Sequence, residues 1–188
     1  MSQRPSASST SAVRPAGRPA GEGKRPPRDA ADDYRGKIEH EISRISRRMK
    51  ENGHPAPLGD PVSGIVLVVE QPVGPRVLEA LKLSLRAVGL PEAYVTYAAT
   101  GSLEEELLAT EPHALVAVGA GAASDIDAAG YPLVLQPFSE AEPGVWFSWT
   151  KGTVGILVPS LGPALGDEAA KRRFWRTFLG LKVLAPSS

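Results

Sequence analysis

From Ile65 to Val69 the chain reads Ile-Val-Leu-Val-Val, five apolar residues without a polar interruption. A run so short and so rich in β-branched residues predicts a strand buried on both faces. Residues 93–98 and 114–118 predict a second and a third strand of the same kind. Between these runs the apolar spacing becomes helical. Val77, Leu81, Leu85 and Val88 form one stripe over 76–88, and Gly89 closes it as a C-terminal cap. Ser102 precedes a helix that reaches about Thr110, with Glu105 three residues on as in a capping box, and Pro112 breaks it. A short helix is expected near Gly121, and a fourth strand over 131–136. Residues 145–150 and 153–159 predict strands or a hairpin around Lys151-Gly152, and 168–181 a final helix with Phe174, Phe178 and Leu181 inward. Upstream, Ile38, Ile42, Ile45 and Met49 recur at helical spacing over 34–52. Arg44, Arg47, Arg48 and Lys50 lie on its other faces and last turns, and Gly53 and Pro55 stop it.

Strands alternating with helices imply right-handed crossovers and a mostly parallel sheet covered on both faces. The expected fold is therefore α/β, a three-layer α/β/α sandwich. Three regions are expected: a disordered tail over 1–33, an amphipathic helix and linker over 34–60, and an α/β domain over 61–188. The tail is mostly Ser, Pro, Ala, Gly and Arg, which bury too little surface to offset ordering entropy. Its arginines (Arg4, Arg14, Arg18, Arg25, Arg28) serve either a soluble tail or a tether for nucleic acid or an acidic partner. The helix offers a protein-contact surface besides its apolar stripe.

A net charge of zero conceals an asymmetry. Residues 1–60 carry 12 Lys/Arg and 8 Asp/Glu, and residues 61–188 carry 9 and 13. A mildly acidic domain repels phosphates on average, so DNA binding needs a local cationic patch. With no cysteine, disulfides, iron–sulfur clusters and thiolate zinc sites are excluded. His40, His54 and His113 show no metal or triad spacing, so no metal and no cofactor are expected. No segment is apolar over the roughly 18 residues of a membrane span, and no apolar stretch follows the basic residues of the N-terminus. A cytoplasmic location is expected, with no membrane partner.

Ligands of open α/β sheets bind beyond the carboxyl ends of the strands. The residues there are Glu70, Gln71 and Pro72 after the first strand, Tyr97 after the second, Gly119 to Ser124 after the third, then Gln136, and last Val158, Pro159 and Ser160. Glu70 is the acid directly after a central strand. It suits a general base that activates water, a helix cap, or an ion pair. The Gly119–Ser124 turn approaches a dinucleotide fingerprint, but it follows the third strand and no acid stands at the ribose position. Its small residues fit a phosphate at a helix start, or simply tight packing. Lys171, Arg172, Arg173 and Arg176 form the densest cationic cluster of the domain, a candidate phosphate contact or a solvated face.

Taken in order, Val69-Glu70-Gln71-Pro72, Tyr94-Val95-Thr96-Tyr97, Leu115 to Ala123 and Val158-Pro159-Ser160 resemble the motifs of the uracil-DNA glycosylase superfamily. The resemblance covers about 64–184. It implies a uracil-DNA glycosylase-like sandwich with a base pocket near Gln71, Pro72, Tyr97, Val158, Pro159 and Ser160, and with DNA as partner. The chain departs from the pattern where chemistry is done. Tyr97 stands where the family has a base-reading Asn, and Val158 where it has a His that stabilises charge on the leaving base. No aromatic follows the first motif to stack on uracil. The implied function is a degenerate glycosylase-like domain, without efficient uracil excision, acting as a binding module. Two alternatives stay open: a divergent glycosylase in which Glu70 positions water for removal of a noncanonical base, and a small-molecule or nucleotide binder that uses the Gly119–Ser124 turn.

Overall fold

A computed structural model describes residues 29–186. The tail expectation for 1–28, with its five arginines, lies outside the described residues. At 29–33 the expectation is corrected: helix α1 spans Ala30–Glu51, because Asp29 caps it by accepting from the Ala31 amide. Aspartates at 32 and 33 then occupy the first turn, where negative charge suits the helix dipole.

Five strands form one sheet in the order β2-β1-β3-β5-β4. They are β1 (Ile65–Val69), β2 (Tyr94–Tyr97), β3 (Ala114–Val118), β4 (Phe147–Ser148) and β5 (Val154–Val158). All neighbours are parallel except β4, which runs antiparallel to β5 as the hairpin at Lys151-Gly152 requires. Helix α1 with α3 (Leu103–Thr110) and α4 (Ala120–Ala128) covers one face. The other face carries α2 (Pro75–Ala87), α5 (Leu161–Ala164), α6 (Glu168–Phe178) and a 3-10 turn over Leu179–Leu184. The α/β/α sandwich is thus formed. In β1 and β3 every residue is buried, which is why both read as unbroken apolar runs.

The α2 stripe lies inward, and Gly89 at φ 80 ends that helix by donating to the Arg86 carbonyl. Phe174, Phe178 and Leu181 are fully buried on the same side. On the α1 side, Ile38, Ile42, Ile45 and Met49 pack into one core with Val66, Val68, Tyr94 and Leu115. The linker is also tied to the sheet: Leu58 exchanges two backbone hydrogen bonds with Val95, at 2.8 and 2.9 Å. Trp149 is fully buried, whereas Trp146 and Trp175 are half-buried.

Two expectations are corrected. No strand forms over 131–136. Pro132 and Pro137 bracket the segment, Leu133 takes a left-handed φ of 62, and Leu133, Val134 and Leu135 are exposed. A strand cannot be continuous through such a residue. Nor do Ser102 and Glu105 form a capping box. The Ser102 side chain caps nothing; it and Glu105 both meet Arg48 of α1, with Glu105 at 2.7 Å.

Candidate functional site

From β1 the chain crosses to β2 on one side and later to β3 on the other, so a crevice opens between the ends of β1 and β3. A cleft of about 400 Å³ occupies that place. The last row of the sheet explains its shape. Tyr97, Val69, Val118 and Val158 lie side by side in register, and all four turn toward the α2 side. Val69 and Val118, in the middle, line the cleft. Tyr97 and Val158, at the flanks, are buried and do not line it. Burial also pushes the Tyr97 phenol above its ordinary pKa.

Of the other predicted site residues, Glu70, Gln71, Pro72 and Ser160 line the cleft, and Pro159 is half-buried beside it without lining it. Apolar groups from α2 and the loop before it, Val73, Val77 and Leu81, close one wall, and Leu161 of α5 closes another. The Lys171, Arg172, Arg173 and Arg176 side chains are exposed on α6. None of them lines the cleft. Lys171 borders a separate groove between α2 and α6, with Leu161 shared between the two. Gln136 lies far along the sheet order, in the loop before β4.

No family model matches this chain, and no curated protein matches it. Glu70 neither caps α2, whose N-cap is Gly74, nor forms an ion pair or side-chain hydrogen bond among the described residues. Its carboxyl group lies against the Cα of Gly121, in the first turn of α4. A carboxylate there is favoured by the helix dipole by about 0.3–1 kcal/mol. Ser160 lies against Gly119 in the same way. The small residues of the Gly119–Ser124 turn thus make room for this chain's own Glu70 and Ser160, and a negative group already stands where a phosphate would approach.

The two glycines predict different outcomes. Gly119 has φ 97 and ψ 160, a backbone region open essentially to glycine alone. Gly119→Ala is expected to cost about 1–3 kcal/mol from that strain, besides the collision with Ser160. Gly121 has helical backbone, where alanine is intrinsically better by about 1 kcal/mol. The atoms nearest its Cβ all belong to the exposed Glu70 side chain, which would have to swing away from Cγ outward. Gly121→Ala should therefore leave the melting temperature level or slightly higher while moving the Glu70 side chain, which carboxyl chemical shifts would report. A large loss of stability in Gly121→Ala would sink this account.

The sequence reading missed one buried carboxyl group. Glu106 on α3 is fully buried, and accepts hydrogen bonds from Tyr94 Oη at 2.6 Å and from Thr96 Oγ1 at 2.8 Å. Burial pushes its carboxyl up to about 7, against the lowering effect of those two bonds. A signal was present: Leu103, Glu106, Leu107 and Thr110 share one helix face, all inward. This network sits on the α1 side, opposite the cleft, and ties α3 to β2.

Among the described residues, no helix is long and apolar enough to cross a membrane.

Proposed function

We propose that this chain is a uracil-DNA glycosylase-like domain used as a binding module, without efficient uracil excision. The burial of Tyr97 and Val158 away from the cleft carries the reading. The positions where the resembled family reads the base and stabilises its developing charge hold side chains that cannot reach a ligand. Losing one preorganised donor of that kind costs about 100- to 1,000-fold in rate. The charge in the cleft also has the wrong sign. Its one ionisable wall residue is Glu70, whereas a departing uracil and a DNA backbone are both anionic. The nucleotide reading through the Gly119–Ser124 turn loses ground for the same reason. Protein contacts would use the outer face of α1, where Arg44, Arg47 and Lys50 are exposed.

One observation favours the divergent-glycosylase alternative: Glu70 is exposed at the cleft with no ion pair or side-chain hydrogen bond among the described residues, as a water-positioning base would be. In that case Lys171, Arg172, Arg173 and Arg176 would supply the DNA contacts. The deciding experiment incubates the purified protein and Glu70→Gln with single- and double-stranded DNA carrying uracil, hypoxanthine or xanthine. The expected result is no base release from any substrate. Release that Glu70→Gln abolishes would replace the module reading with the catalytic one.

A further inference from the structure

We propose that the cleft between β1 and β3 binds a flat heteroaromatic ligand through two adjacent N–H donors, accepted by the Glu70 carboxylate. An aryl amidine or the N1–H/2-amino edge of guanine presents that pattern. This inference rests on the binding-module reading and names the ligand class for the same site.

The cleft walls are largely apolar. Val69, Val73, Val77, Leu81, Val118 and Leu161 are apolar, and no Lys, Arg or His is among the cleft-lining residues. Such walls suit a largely apolar body, and a volume of about 400 Å³ lies within the roughly 300–1,000 Å³ usual for small-ligand sites. Both Glu70 oxygens lack a hydrogen-bond donor among the described residues, and the exposed side chain lies with its carboxyl group against Gly121, at the edge of the apolar walls. A ligand that leaves this carboxylate unpaired in an apolar cleft incurs a desolvation cost, so the acceptable ligand must donate.

Ligand shape follows from the acceptor. A carboxylate takes two parallel N–H bonds from a planar fork, and such paired, charge-assisted bonds are the strong ones. A compact alkylammonium is more strongly hydrated and has no flat body for the valine and leucine walls. In a nucleoside, uracil offers a single N–H between two carbonyls, so one of its oxygens would face the carboxylate. The Gln71 amide and the Ser160 hydroxyl, both on the cleft wall, are placed to meet polar atoms elsewhere on the ring.

The test is a titration of the full chain, followed by calorimetry and by backbone amide shifts, with benzamidine, 2-aminobenzimidazole, guanosine, uridine and butylamine. The first three are expected to move the amides of Val69, Val118 and Ser160, and uridine and butylamine to bind at least about tenfold more weakly. Glu70→Gln should weaken the amidine by a similar factor while the protein stays folded, its melting temperature lowered by no more than the small helix-dipole contribution, and Val73→Trp, which fills the cleft, should block all three. Gly121→Ala, by shifting the carboxylate, should weaken them without filling the cleft. Binding that survives Glu70→Gln, or uridine binding as well as guanosine, would overturn the donor-edge assignment and leave the module reading standing. No cleft shifts with any of the five probes would overturn the assignment too. Base release in the DNA assay would instead overturn the module reading, whatever the titration gives.

Discussion

Replacing Glu106 by alanine is expected to destabilise the protein by about 3–5 kcal/mol at pH 5, measured by urea unfolding. Tyr94 and Thr96 are both buried, and each sends its hydroxyl to this one carboxyl group. Each stranded buried donor costs about 1–3 kcal/mol, before the cavity left by the shortened side chain is counted. Glu106→Gln has a different expected outcome. Its amide oxygen still accepts from Tyr94, and its amide nitrogen can donate to Thr96 Oγ1, so at pH 5 it should lie close to the native protein. The two then separate with pH. Burial holds the folded-state carboxyl at about 7, above its ordinary value of 4.5. The folded state therefore binds this proton more tightly than the unfolded chain does. The stability that this provides is complete below about 4.5, declines as pH rises, and is gone above about 7. A shift of that size corresponds to something on the order of 3 kcal/mol. Glu106→Gln lacks this titration and should gain on the native protein by about that amount between pH 4.5 and 8. Parallel stability curves for the two proteins would contradict a raised pKa for Glu106.

That network also marks where the sequence could be read and where it could not. The strands β1 and β3 were legible because a strand buried on both faces has no polar position to confuse the pattern. The stripes of α1, α2 and α6 were legible because four-residue recurrences leave few other conformations. The 131–136 segment failed because its Leu-Val-Leu core reads like a strand, while Pro132, Pro137 and the left-handed Leu133 take it out of the sheet. Its leucines are exposed, so composition there carries no burial information. The capping box failed for a tertiary reason: Arg48, more than fifty residues away, takes both Ser102 and Glu105. At the site, strand ends led to Glu70, Gln71, Pro72 and Ser160, which line the cleft. They could not tell that the side chains of Tyr97 and Val158, in the same row of the sheet, are closed over by neighbouring elements. Nor does a Gly-Ala-Gly turn say whether its space is kept for a phosphate or for a carboxylate of the same chain.

Deleting residues 1–53 is expected to abolish cooperative folding of the remaining α/β segment. By sequence, 34–60 reads as a helix and linker ahead of a domain, and such a helix can be a detachable contact surface. The packing argues otherwise. Ile38, Ile42, Ile45 and Met49 each expose 6% of their surface or less, and they share a core with three strands and with α3. Fully burying an aliphatic side chain of this size is worth about 1.5–3 kcal/mol, so four approach the whole stability of a small domain, about 5–15 kcal/mol. Point variants give the graded version. Ile45→Ala should cost about 2–5 kcal/mol, and Ile45→Asp, which buries an unpaired charge, should leave no folded population by thermal melting. Arg47→Ala, on the exposed face and outside any ion pair among the described residues, should change stability by less than about 0.5 kcal/mol. A 54–188 fragment that melts cooperatively at the native temperature would mean that α1 is separable. If the deletion unfolds the chain, α1 has no apolar face to lend to a partner. Any protein that binds there must read the cationic outer face of Arg44, Arg47 and Lys50, and its affinity should fall steeply with salt.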